Sequence, residues 1–140
     1  MPPRIDFISL GVRDVRASRR FYVDGMGWPV HREVSGEVLF IQANHGLMLS
    51  IWDRGQMHSE AGVDDDCSVP PITLSHNVGS SAEVDGLIAA AQAAGATVVS
   101  PGRTQSWGGY TGYIADPDGF RWEIAYNPTW SRHDDGTVTV

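Results

Sequence analysis

The chain has 140 residues, 41% of them hydrophobic and 19% charged, enough for one domain with a real core and too few for two ordinary ones. No apolar run approaches the roughly 20 residues of a membrane-spanning helix, and the start, MPPRIDF, lacks the pattern of an export signal, so a soluble cytoplasmic protein is expected. A net charge of -7 without any Lys/Arg cluster argues against nucleic acid or an anionic membrane as partner and leaves a small molecule as the natural one. The single cysteine, Cys67, excludes an intrachain disulfide and a cysteine-cluster metal site.

In chain order, IDFISLGV alternates with period two and reads as a strand, with Ile8, Leu10 and Val12 on one face and Phe7, Ser9 and Gly11 on the other. Asp14 is placed to cap a helix through VRASRRFYVD that Gly25 ends. WPVHREV, EVLFIQA and LMLSIW then read as strands separated by glycine-bearing turns. The polar, acidic stretch from Arg54 to Pro71, ending in Pro70-Pro71, reads as a linker that could cover or line a site.

The second half repeats the plan. ITLSHNV alternates, and Ser80 with Glu83 forms a capping box before a helix whose Val84, Leu87, Ile88 and Ala91 share one face until Gly95 stops it. ATVVS, YTGYIAD and FRWEIAY supply three strands, with Asp118-Gly119 turning the last hairpin. The expected fold is therefore α+β: two β-α-β-β-β modules, at about 4–53 and 72–128, forming a curved, cup-like mixed sheet with helices outside and a polar tail from 129 to 140. Each helix should cover the oily face of its own sheet, because an exposed Leu, Ile or Val forgoes about 1.5 to 3 kcal/mol of burial. The other faces would then line a shared concavity with Phe7, Ser9, Met48, Ser50, Trp52, Thr73, Ser75, Asn77, Glu123 and Ala125.

Two such modules, with I-x-L-x-V before the first helix and ADPDGFRWEIAYNP at the end, resemble the vicinal oxygen chelate superfamily of glyoxalases, bleomycin-resistance proteins and dioxygenases, from Ile5 to Pro128. In its metal-dependent members the ligands, usually His, Gln or Glu, come from the inward faces of the first and last strands of each module. The resemblance places those positions at Phe7, Met48, Thr73 and Glu123, of which Glu123 alone is a good ligand for a divalent ion. No bound metal or other cofactor is expected on that account. Members are commonly homodimers, and the tail could add an edge strand to a partner subunit.

Glu123 is the candidate catalytic residue. A glutamate in a partly apolar cup without a cation is costly to ionise, which suits a general base, with Ser9, Thr73, Ser75 or Tyr113 bonding the bound molecule. The segment SWGGYTGY combines Trp107, Tyr110 and Tyr113 with Gly108, Gly109 and Gly112, flat surfaces on a loosened backbone that could close over a ligand or simply pack in the core. His31, His45, His76 and His133 read as packing or surface residues, and His58 is the one placed to fold over the cavity. The expected function is metal-free binding of a small organic molecule between the modules. The alternatives are a metal-dependent lyase, isomerase or dioxygenase and a drug-sequestering resistance protein.

Overall fold

The computed structural model describes residues 5–61 and 73–139. Cys67 and Pro70-Pro71 lie outside the described residues. The chain divides into two compact units, Met1–Ser68 and Val69–Val140.

In the first unit, β1 (Phe7–Val12) turns Leu10 and Val12 into the core and leaves Phe7 and Ser9 on the open face. Asp14 caps α1 (Val15–Arg19), its side chain accepting a hydrogen bond of 2.9 Å from the Arg16 amide. The helix then passes directly into a π-helical turn over Arg20–Gly25. The helical stretch ends at Gly25, as expected, and the chain leaves through Met26 and turns at Gly27, whose φ is 74°. A widened turn suits the adjacent rings of Phe21 and Tyr22, both buried and packed edge to face at 4.8 Å, because two successive bulky side chains must reach the same core.

Strands β2 (Val30–Val34), β3 (Val38–Asn44) and β4 (Leu47–Asp53) complete a sheet of order β1-β4-β3-β2, with β1 parallel to β4 and the other pairs antiparallel. Leu39, Ile41, Leu49 and Ile51 join Leu10 and Val12 in the core. The residues from Arg54, expected to begin a linker, instead form α2 (Arg54–Ala61). The Asp53 carboxylate accepts from the Gln56 amide at 3.0 Å and so satisfies a donor in the first turn. Met57 is the buried residue of α2, and it packs so closely on Gly11 that a β-carbon there would lie 2.9 Å from its sulfur. Since Gly11 shares a face with Phe7 and Ser9, α2 closes one end of the face that α1 leaves open.

The second unit repeats this sheet as β5-β8-β7-β6, with β5 (Thr73–Asn77), β6 (Thr97–Thr104), β7 (Tyr110–Ala115) and β8 (Arg121–Tyr126). Again the outer strand β5 runs parallel to β8 and the remaining pairs are antiparallel. Ser80 caps α3 (Ser81–Ala93), its hydroxyl accepting from the Glu83 amide at 3.2 Å while the Glu83 carboxylate accepts from the Gly79 amide at 3.1 Å. Val84, Ile88 and Ala91 are buried, as the periodicity predicts, and Leu87 is half-buried. β6 runs well past the expected ATVVS through Pro101 and Gly102, with its register shifting on the way. The tail folds on itself: β9 (Ser131–Arg132) and β10 (Val138–Thr139) form a short antiparallel hairpin. Among the described residues no helix is long and apolar enough to cross a membrane.

Candidate functional site

The DPDG sequence does its work as a turn. Asp116 is buried, and its carboxylate accepts hydrogen bonds from the amides of Asp118 at 3.0 Å and Phe120 at 2.9 Å. Gly119 supplies the left-handed residue at φ 97°. This turn fixes where β8 begins, and hence which face receives Glu123.

Ladder register then gathers the site. Ser75 on β5 and Tyr113 on β7 both stand directly beside Glu123 on β8. The Ser75 hydroxyl donates to one carboxylate oxygen at 2.9 Å, and the Tyr113 hydroxyl donates to the other at 2.5 Å. With both oxygens engaged, the carboxylate is held in one orientation. The Tyr113 phenol is pushed above its usual range, first because it is hydrogen-bonded to Glu123 and then by burial and by that negative charge, with Arg103 acting in the opposite sense.

Glu123, Ser75, Asn77, Thr111 and Ala125 line a pocket of about 340 Å³ on this unit, near the lower end of the size common for small-molecule sites. Its walls are Trp107 and Trp130, which are 56% and 38% exposed. Trp107 sits in a turn closed by hydrogen bonds between Gln105 and Gly109 and between Gly108 and Gln105, and the Gln105 side chain donates to Thr111 at 2.7 Å. Trp130 follows a turn at Asn127, whose side-chain oxygen accepts from the amide and hydroxyl of Thr129 at 3.0 and 2.8 Å. Asn77 Oδ1 is buried and has no hydrogen-bond partner among the described residues.

The glycines of SWGGYTGY serve close packing more than looseness. A β-carbon on Gly109 would fall 1.7 Å from the Trp107 ring, and one on Gly112 would fall 2.4 Å from Ile88 and 2.9 Å from the backbone of Gly102. Tyr110 was expected with the ligand-binding residues, but it lies on the opposite face of β7 from Tyr113. There its hydroxyl donates to Asp85 of α3 at 3.0 Å, because alternation along the strand turns it toward the helix.

Of the other expected residues, Phe7, Ser9, Met48, Ser50 and Trp52 share the open face of the first unit. Phe7 is 53% exposed and meets Phe40 edge-on at 6.2 Å, while Trp52 donates to Gln56 of α2 at 3.4 Å. Thr73 is exposed at the start of β5, beside Arg121. Aligning the units on their helix caps, Asp14 and Ser80, sets Ser9 against Ser75. The ladders then set Ser50, the neighbour of Ser9, against Glu123. The first unit's counterpart of Glu123 is thus Ser50 and not Met48, two residues away on the same face. Thr111, Asn127 and Trp130 were absent from the expected lining. Thr111 follows from Tyr113 by alternation, but Trp130 sits in a segment whose polar composition hides it.

A sequence model of the glyoxalase/bleomycin resistance protein/dioxygenase superfamily matches residues 4–124. The chain belongs to this superfamily. It is similar to a glyoxalase-related enzyme from Fulvimarina pelagi at 37% identity and a TM-score of 0.91, over 99% of this chain and 98% of the other. A lactoylglutathione lyase from Agrobacterium tumefaciens is 25% identical with a TM-score of 0.68, over 90% of this chain and 95% of the other. A superfamily structure from Nocardioides, at 23% identity, TM-score 0.73 and 90% and 84% coverage, shares the fold. No curated protein matches.

The superfamily's metal positions do not fit a divalent ion in this member. Phe7 offers no donor atom, and Met48 offers only a thioether, a poor ligand for hard or borderline ions. Ser50, the first unit's counterpart of Glu123, is a buried hydroxyl, Thr73 an exposed one, and Glu123 has both oxygens hydrogen-bonded. Among the described residues no three His, Cys, Asp or Glu side chains come together in a way that could hold a metal.

Proposed function

We propose that this superfamily member binds a small organic molecule in the pocket of its second unit, with no metal at the positions the superfamily uses. The observation that carries the reading is a carboxylate fixed by two hydroxyls at a pocket of about 340 Å³ walled by two partly exposed indoles. Exposed tryptophans facing a concavity give up water readily to a flat ligand, and a fixed carboxylate orients it. Ser75 and Tyr113 keep Glu123 in place so that little order is lost when the ligand arrives. This is a sequestering role of the kind that the superfamily's bleomycin-resistance members carry in their name. Ser75 and Tyr113 each occupy one lone pair of Glu123 and leave others for a ligand, which suits a fixed acceptor that orients a bound molecule.

The test is a tryptophan-fluorescence and calorimetric screen of a diverse small-molecule collection. Saturable one-to-one binding that Trp107→Ala weakens, with the compound recovered unchanged, is the expected result. A collection in which nothing saturates would sink the proposal, and steady turnover of a bound compound, lost in Glu123→Gln, would replace it with a lyase or isomerase.

A further inference from the structure

We infer that the ligand of this pocket is a small flat cation bearing N–H donors, of the amidinium or protonated amino-heterocycle class. The inference rests on the reading of the pocket as a binding site. It follows from where the protons of the site are spent. Ser75 and Tyr113 each have one hydroxyl proton, and both protons go to Glu123, so toward a ligand these groups present lone pairs only. Glu123 itself is a carboxyl group that makes no ion pair among the described residues. Arg103 on β6, whose charge is felt at Tyr113, stays exposed and makes no ion pair with it. Thr111 keeps its own proton, and Asn127 keeps its NH₂ group, because its oxygen is taken by Thr129. Those are neutral donors beside a charged acceptor, and the charge sets the preference.

Asn77 adds a second, independent observation. Its oxygen is shut away from water without a partner among the described residues, a condition that native structures rarely leave uncompensated. A ligand N–H that reaches this oxygen supplies the missing partner. Trp107 and Trp130 then cover the flat faces of the cation, which the negative face of an indole attracts. A flat cation with N–H groups answers all of these features at once, whereas a carboxylate or phosphate ligand would meet Glu123 head-on.

The experiment titrates the whole chain with four probes of matched size: benzamidinium, phenyltrimethylammonium, benzamide and benzoate. Binding is read by calorimetry and tryptophan fluorescence on wild type, Glu123→Gln and Asn77→Leu, each checked for folding by thermal melting. Benzamidinium is expected to bind best, about ten- to a hundred-fold better than benzamide, with most of that margin lost in Glu123→Gln. Asn77→Leu is expected to weaken benzamidinium and to leave phenyltrimethylammonium, which has no N–H, unchanged. Benzamide or benzoate binding as tightly as benzamidinium would overturn the cation assignment and leave the pocket a binding site. Phenyltrimethylammonium matching benzamidinium would overturn the need for N–H donors. If none of the four saturates while the wider screen yields a ligand, the assignment of class fails alone; if both are blank, the pocket reading fails with it.

Discussion

Gly109→Ala should unseat Trp107 without unfolding the protein. A β-carbon at this position would lie 1.7 Å from one ring carbon of Trp107, 2.0 Å from a second and 2.7 Å from a third. Carbon contacts are comfortable only at about 3.5 to 4.0 Å, so the ring must move by roughly 2 Å. It has somewhere to go, since 56% of Trp107 is already exposed. Gly109 does not occupy the left-handed region, so alanine is acceptable to its backbone. Stiffening the unfolded chain returns about 0.4 to 1 kcal/mol. A half-buried indole swinging into water gives up about 2 kcal/mol at 25 cal/mol per Å². The net loss of stability should therefore be near 1 kcal/mol. Removing one aromatic wall forfeits about 0.5 to 2 kcal/mol of ligand binding, a two- to thirty-fold weakening. Urea denaturation gives the first quantity, calorimetry with a ligand from the screen gives the second, and Trp107→Ala serves as the reference. If Gly109→Ala keeps full affinity while Trp107→Ala loses it, the ring does not rest on Gly109 as described. A stability loss above about 3 kcal/mol would mean that the indole has no room to move.

Asp116→Ala removes the acceptor for two amides in a buried turn and should cost about 2 to 4 kcal/mol in urea denaturation, with a near-neutral result excluding a structural role for the DPDG turn. Tyr110 and Tyr113 both hold their protons above the usual 10.0, first through their hydrogen bonds to Asp85 and Glu123 respectively, so the absorbance titration of Tyr113→Phe should lose a tyrosine that ionises late. Their stabilisation is complete below pH 10.0 and declines as pH rises through the folded values, and Tyr113→Phe should flatten that decline. His76, although exposed at its surface, is held below 6.5, first by partial desolvation and then by the charge of Arg132, so the folded state prefers it neutral. Its contribution is present above pH 6.5 and is lost as pH falls below, a loss His76→Gln should remove from the acid limb of the stability profile. Stoichiometric Zn²⁺, Ni²⁺ or Mn²⁺ should leave the melting temperature within about 1 °C of the chelated protein; a rise of several degrees would show tight binding and refute the donor-set argument.

The sheet, the helix caps and the repeat were legible because each rests on short-range rules. The alternation of β1, the capping box of Ser80 and Glu83 and the Asp118-Gly119 turn each declare themselves within a few residues. Glu123 was legible too, since counting from that turn along β8 gives its face. What the alternation left open was register between strands. Met48 and Ser50 face the same way, and only the ladder with β1 shows that Ser50 stands where Glu123 stands in the second unit. Tyr110 misled because an aromatic-rich segment spans both faces of one strand, and only the position of α3 shows which face is which. The helix Arg54–Ala61 was hidden by its weak amphipathicity, with Met57 its sole buried residue.

The same small helix separates the fates of two related positions. Gly11 and Asn77 are counterparts in the two units, yet Met57 presses on Gly11 while Asn77 faces a pocket. One half of the duplication has thus been spent on permanence, while its twin stays editable. A combinatorial library confined to Asn77, Trp107, Asn127 and Trp130 would vary the lining of the pocket without entering the core of either unit, so the second unit can be reshaped there while its sheet stays as it is.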